Sequence, residues 1–276
     1  MSLTPTNERQ LIDAVGTRHE VASATPRIVS LVPSITELLF DLGLGPQIVG
    51  RTGFCIHPRD KVKRVPKVGG TKSIEAMRVK RLAPTHLIAN VDENPRAAVE
   101  ELAKFVPHIV VTHPCSPQDN LALYRLLGGI FGREEQAEVL CRRLEQSLEQ
   151  TVRAAAGWRR QSVLYLIWKA PWMTVSRDTY ISRMLATVGW DTWAAKSEAR
   201  YPAINLTPAV LQQVDFVLLS SEPYAFRERH CVEILDMLPP GAKTRVALID
   251  GSMTSWYGSR AIEGLAYLGK FRQDLR

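Results

Sequence analysis

The chemistry-bearing residues of this chain are mostly rings, and their positions follow a pattern. Trp168, Lys169 and Trp172 lie in LIWKAPW, Tyr224 in SSEPYAF, Trp256, Tyr257 and Arg260 in DGSMTSWYGSR, and Phe54 with His57 in TGFCIHP. Each group follows an apolar run of strand character and falls outside any helical stripe. Open α/β sheets bind ligands beyond the carboxyl ends of their strands. Aromatic loops at those ends would line a largely apolar pocket suited to a flat, bulky molecule, with Arg260, Lys169 or Asp250 fixing its polar edges. Trp190 and Trp193 are read as rings that wedge loops onto the core.

Other chemistries find less support. There is no Walker loop and no GxGxxG opening a helix after a strand, so nucleotide chemistry has no anchor. Gly69-Gly70-Thr71 indicates a tight turn and lacks the pattern of a phosphate cradle. No GxSxG elbow is present, and Ser34, at a strand-to-helix turn, is read as a helix cap. His57, His86, His108, His113 and His230 form no HxH or HxxxH pair, so no metal site and no catalytic residue is assigned. His86 and His108 read as structural histidines in strands, while His57 lies in a loop where ligand contacts are expected. Cys55, Cys115, Cys141 and Cys231 are far apart and read as buried free thiols.

The elements that must position these residues follow a βαβ alternation from about Pro26 onward. Arg27–Val32 reads as a strand leading into a helix, with Ser34 as N-cap and Glu37 completing a capping box. Further strands fit Gln47–Thr52, Thr85–Ala89 and His108–Thr112. Helices fit Ile74–Leu82, the segment from Pro95 to Phe105 capped by Asn94, and Asp119–Phe131, stopped by Gly128, Gly129 and Gly132. Arg133–Ala156 then runs without Gly or Pro, and Ala137, Leu140, Cys141, Leu144, Leu148 and Val152 form one stripe at helical spacing. After Gly157 the alternation restarts, with strands at Ser162–Trp168, Asp215–Ser220 and Arg245–Asp250. Helices there fit Thr179–Val188, Pro208–Gln213 behind a Thr207 cap, Phe226–Leu235 and Gly258–Phe271. The expected architecture is α/β: two Rossmann-like lobes with mostly parallel sheets joined by one long backbone helix. Its parts are a polar N-terminal extension (1–26), a first lobe (27–132), the linking helix (133–157) and a second lobe (158–276).

The 276 residues are 45% hydrophobic and 23% charged, without an apolar run long enough to span a bilayer. The net charge of +7 does not make a nucleic-acid face. Its densest basic stretches, Arg59–Lys67 and Arg78–Arg81, are short, interrupted by apolar residues and free of stacking aromatics.

The motifs PRIVSLVPSITELLFDLGLGPQIVG, HP, VGGTKSIEAM and LAPTHLIA, with the long helix after them, resemble the helical-backbone (class III) substrate-binding proteins of ABC importers for cobalamin, haem and ferric siderophores. The likeness runs from about Pro26 to the C-terminus, and its nearest sub-pattern is that of the cobalamin-binding members. It implies a non-catalytic role: a metal chelate (corrinoid, haem or ferric siderophore) held in the cleft between the lobes, with no cofactor. Phe54 and His57 match first-lobe contacts. Trp168 to Trp172 and Trp256 to Arg260 occupy the corresponding second-lobe loops, with Tyr224 beside them. A first-lobe tryptophan of the cobalamin-binding pattern falls near Gly69. The resemblance also implies an ABC permease as partner, met through one acidic residue on each lobe. Glu75 matches the first; Pro208 stands at the second, where a carboxylate is expected.

The N-terminal 26 residues are polar and lack the apolar core of a secretory signal. As written, the sequence reads as cytoplasmic, whereas the family role implies a periplasmic protein with a start upstream. The alternative reading is a cytoplasmic metallocofactor-handling enzyme, chelatase or ligand sensor on the same fold, with His57 and Asp250 as the groups that would act.

Overall fold

The structure, a computed structural model, describes residues 11–195 and 197–276. They form two compact units: the chain up to His113 with Asn120–Arg142, and Pro114–Asp119 with Arg143–Arg276.

In the first unit β1 (Ile28–Ser30), α1 (Pro33–Asp41) and β2 (Ile48–Arg51) are followed by α2 (Arg59–Val62), α3 (Ala76–Arg81), β3 (His86–Asn90), α4 (Arg96–Leu102), β4 (His108–Thr112) and α5 (Asp119–Ile130). The sheet order is β2-β1-β3-β4, parallel throughout. Every side chain of β1 and β3 is buried, as expected of strands covered by helices on both faces. Val29, Leu31, Leu87 and Ala89 pack with Val79 of α3 and Leu102 of α4. Residues 11–22, expected as part of an extension, dock on this unit. Ala14 N–H donates to the Val111 carbonyl (2.9 Å), Asp13 Oδ2 accepts from Val111 N–H (3.0 Å), and Ala22 N–H donates to the Ile130 carbonyl (2.8 Å).

Two expected caps are corrected. Proline fixes φ near −65° and has no N–H, so it suits a helix start. Pro33 occupies the first position of α1 behind Val32, and Ser34 lies inside the helix with a buried hydroxyl that has no hydrogen-bond partner. The capping box on Ser34 therefore does not form. Pro95 is itself the N-cap residue of α4. Asn94 instead accepts from Asn90 N–H (2.9 Å) and donates to the carbonyls of Thr71 (3.0 Å) and Leu31, tying together the carboxyl ends of β1 and β3. Gly128 and Gly129 do not stop α5 but lie within it. A Cβ at Gly128 would come within 2.6 Å of the Ala137 methyl, so the glycine permits a close helix–helix approach.

That approach is made by α6 (Glu134–Ala155), whose first half belongs to the first unit and whose second half belongs to the other. Ala137, Leu140, Cys141 and Leu144 are buried as expected, but Val152 is 48% exposed. Ser147, Thr151 and Ala155 carry the buried stripe onward instead. Ser147 satisfies its hydroxyl on the Ile262 carbonyl at 2.8 Å, which removes most of the cost of burying it.

The second unit continues with β5 (Gln161–Trp168), β6 (Met173–Thr174), α7 (Tyr180–Ala186), β7 (Trp190–Thr192), α8 (Pro208–Leu211), β8 (Phe216–Ser220), α9 (Glu228–Asp236), β9 (Arg245–Ile249), α10 (Gly251–Ser255) and α11 (Arg260–Asp274). Its sheet runs β6-β5-β8-β9, and β7 also pairs β5. All pairings are parallel except β5 with β6. Thr179 and Thr207 cap α7 and α8 through their hydroxyls. The helix expected over Gly258–Phe271 is α11, and a further short helix precedes it: Asp250 accepts from Ser252 N–H (2.9 Å) and starts α10 within the segment read as a loop. Trp190 is fully buried, but in a strand. Of the cysteines, Cys55, Cys141 and Cys231 are buried as expected, whereas Cys115 is half-buried.

Candidate functional site

In the first unit the loop after β2 is pinned from within. Cys55, 1% exposed, places its sulfur 3.1 Å from Thr36 Oγ1 and 3.2 Å from Thr52 Oγ1. Burial pushes this thiol's pKa up, and the threonine hydrogen bonds only partly offset the rise. With Cys55 facing inward, its neighbours project outward: Phe54 is 62% exposed and Ile56 51% exposed. Phe54 lies against Gly70, in the turn that Gly69 makes with φ +107° and that closes through Gly70 N–H on the Ser73 carbonyl (2.9 Å). His57 follows, half-buried. Glu75 immediately precedes α3, half exposed, and binds Arg78 Nε at 2.7 Å.

In the second unit the carboxyl ends of β5 and β8 carry a continuous aromatic cluster. Trp168 ends β5 and meets Tyr224 edge-on at 5.6 Å; Tyr224 lies 4.7 Å from Phe226, and Phe226 stacks parallel to Trp172 at 6.0 Å. Lys169 sits over Trp172 at 5.4 Å and pairs with Glu233 of α9. His230 closes the cluster from below: its Nδ1 accepts from Arg227 N–H (2.9 Å), and its Nε2 lies 3.5 Å from the Tyr224 hydroxyl. Burial, then the charges of Arg229 and Lys169, hold this imidazole's pKa below its ordinary value. Trp168 retains 39% of its surface.

A second group surrounds Glu222, two residues before Tyr224. Glu222 Oε1 accepts from Ser255 Oγ (3.1 Å) and Trp256 Nε1 (2.5 Å), and Arg260 lies 5.1 Å over the Trp256 ring. Burial raises the Glu222 pKa, and the two hydrogen bonds only partly offset it. Trp256 and Tyr257 are 8% and 7% exposed, and Tyr257 packs edge-on against Tyr180 at 5.8 Å. These two rings are thus built into the wall, while Trp168, Trp172 and Tyr224 offer ring surface. Beneath them the Tyr165 hydroxyl bonds Ser220 Oγ (3.0 Å) and Thr254 Oγ1 (2.5 Å), and burial keeps this phenol protonated far above the usual range.

The structure thus joins Trp168, Lys169, Trp172 and Tyr224 in one cluster and Trp256, Tyr257 and Arg260 in a neighbouring one. Phe54, His57 and Glu75 lie in the first unit. Among the described residues no group of three or more His, Cys, Asp and Glu is placed to hold a metal ion, and no helix is long and apolar enough to cross a membrane. Asp250, weighed as a group that would act on a ligand, is occupied as the cap of α10.

Residues 28–229 match the family model described as periplasmic binding protein. The chain belongs to this family. Vitamin B12-binding proteins of Photorhabdus laumondii and Pectobacterium carotovorum are 23% identical over 202 residues and 24% identical over 199. These spans cover 73% of both chains in the first case, and 71% of this chain and 72% of the relative in the second. The fold matches the periplasmic vitamin B12-binding protein BtuF of Vibrio cholerae with a TM-score of 0.75 at 16% identity, over 90% of this chain and 97% of that one. It also matches the periplasmic haem-binding protein RhuT of Roseiflexus sp. RS-1, with a TM-score of 0.77 at 24% identity, over 91% and 99%.

In this periplasmic binding protein Glu222 and Phe226 join the clusters without having been singled out in the sequence, and His230 and Cys55, read there as an unassigned imidazole and a buried thiol, brace the candidate loops. Glu222 and Phe226 stand within two residues of Tyr224, so extending the strand-end criterion along SSEPYAF would have found them. Nothing local marks Cys55 or His230, whose roles come from tertiary partners.

Proposed function

We propose that this protein captures a metal chelate, a corrinoid, haem or ferric siderophore, as the substrate-binding component of an ABC importer, working in the periplasm and without catalysis. The single observation carrying this reading is the aromatic cluster Trp168–Tyr224–Phe226–Trp172 at the strand ends of the second unit, in a chain of the periplasmic binding protein family. Offset and edge-on rings give a rigid apolar face at low entropic cost. The exposed Phe54 and Ile56 give the first unit an apolar surface at its own strand ends. Lys169 and Arg260, each over an indole, would meet carboxylate or phosphate groups at a ligand's rim. Phe54, His57, Trp168, Lys169, Trp172, Tyr224, Trp256, Tyr257 and Arg260 are the proposed ligand-binding set, the two buried rings acting as its backing. Glu75 is the proposed permease contact.

Titration of the purified protein with cyanocobalamin, haemin and a ferric hydroxamate, followed by tryptophan fluorescence, tests the proposal. Saturable quenching by one of the three at or below micromolar concentration is expected; no response to any of them would overturn it.

A further inference from the structure

The amino ends of the second unit's strands, remote in that sheet from the aromatic loops, carry a cluster of arginines with no part in ligand capture. Arg272 lies in the last turn of α11 and Arg276 just beyond its end, Arg245 opens β9, and Arg159 lies between α6 and β5. Arg272 is 2% exposed. Its guanidinium lies 5.1 Å over Trp190 and 5.7 Å over Phe216, and Nη2 donates to the Arg159 carbonyl at 2.9 Å. Its Nε and Nη1 are buried with no hydrogen-bond partner. Arg245 lies over the same Phe216 ring at 5.1 Å and donates to the Leu275 carbonyl, while Arg276 lies over Trp158 at 5.5 Å.

Among the described residues none of these four guanidiniums forms an ion pair with a carboxylate. Neighbouring charges follow a different rule: Arg160 pairs with Asp191, and Asp215 is taken up by Ser162 N–H (2.7 Å) and Oγ (3.0 Å). A buried cation with unsatisfied donors is costly unless something compensates it. Burial and the charges of Arg276 and Arg245 pull the Arg272 pKa down, and Asp215 opposes them only in part.

We propose that Arg245 and Arg276, grouped with the buried Arg272 around Phe216, Trp190 and Trp158, form a phosphate-binding site. The exposed Arg245 and Arg276 present planar forks that match phosphate oxygens, and the charge of the buried Arg272 acts within electrostatic reach of both. The phosphate comes either from a free anion or from an anionic lipid headgroup, two sources that the test separates.

Thermal unfolding is followed during titration with inorganic phosphate against chloride at matched ionic strength, and sedimentation is measured with phosphatidylglycerol and phosphatidylcholine vesicles. The proteins are wild type and Arg245→Ala/Arg276→Ala, which changes two exposed side chains and leaves the core intact; circular dichroism checks its fold. A saturable, phosphate-specific rise in Tm that weakens about tenfold or more in the variant supports a free-anion site. Sedimentation with phosphatidylglycerol alone, lost in the variant, supports the headgroup. The site is overturned if wild type distinguishes neither phosphate from chloride nor the two vesicles, or if the variant binds as wild type does.

Discussion

Trp168 keeps 39% of its surface and Trp256 only 8%, so the same truncation at the two positions tests different physics. Trp168→Ala removes a ring whose outer face is open, and central tryptophans in binding sites are worth about 2 kcal/mol or more. Ligand affinity is expected to fall by roughly thirtyfold, with the urea midpoint nearly unchanged. Trp256→Ala removes a buried indole and strips Glu222 of its shortest hydrogen bond. It is expected to lower unfolding stability by about 3–5 kcal/mol, read by urea denaturation, before any effect on affinity is interpretable. The open rings were legible because Trp and Tyr directly after an apolar run are conspicuous in any sequence. Glu222 was not: its partners, Ser255 and Trp256, stand at and just past the end of α10, a five-residue helix hidden in a segment rich in Ser and Gly.

At the scale of elements, the strands were legible where both faces are buried, since β3 (HLIAN) and β8 (FVLLS) are buried throughout and carry apolar runs at their centres. The two-residue β6 and three-residue β7 are too short for any period to show. The second half of α6 was misread because hydroxyl residues, Ser147 and Thr151, occupy its buried face. Gly128, read as a stop, makes the contact between α5 and α6 possible. Gly128→Val is therefore expected to cost about 2–3 kcal/mol by overpacking, whereas Gly157→Ala, where an added Cβ meets nothing within 4 Å, is expected to be near neutral; parallel urea titrations check the contrast.

The starts of β3 and β4 predict a pH effect. His86 stacks on His108 at 4.7 Å, meets the edge of Phe131 at 5.1 Å and bonds Thr85 Oγ1 at 2.8 Å through Nδ1. Burial first, then the charges of His108 and His19, lower its pKa to about 4. The folded state favours neutral imidazole, so the contribution is full above the unfolded pKa near 6.5 and is lost as pH falls toward 4. Stability is expected to drop by up to about 3 kcal/mol over that window, and His86→Gln should flatten the profile measured by chemical denaturation.

For the whole molecule the proposed importer role turns on whether a permease can use Glu75. The carboxylate is held by Arg78 at 2.7 Å with both side chains about half exposed, and Lys72, Lys80 and Arg81 are its near neighbours in a chain of net charge +7. Exposed pairs of this kind are worth about 0.2–1 kcal/mol. A permease arginine competing for Glu75 therefore displaces a weak partner, and it gains a similarly modest amount. Glu75→Ala is expected to leave ligand affinity in solution unchanged and to lower uptake through the cognate permease in proteoliposomes by a few-fold. Arg78→Ala, which releases the carboxylate, should raise uptake. Both effects should shrink as salt increases, because screening acts on exposed charges within about 10 Å at 0.1 M ionic strength. Equal uptake by wild type and Glu75→Ala at low salt would remove Glu75 from the docking surface while leaving ligand capture by the aromatic cluster untouched.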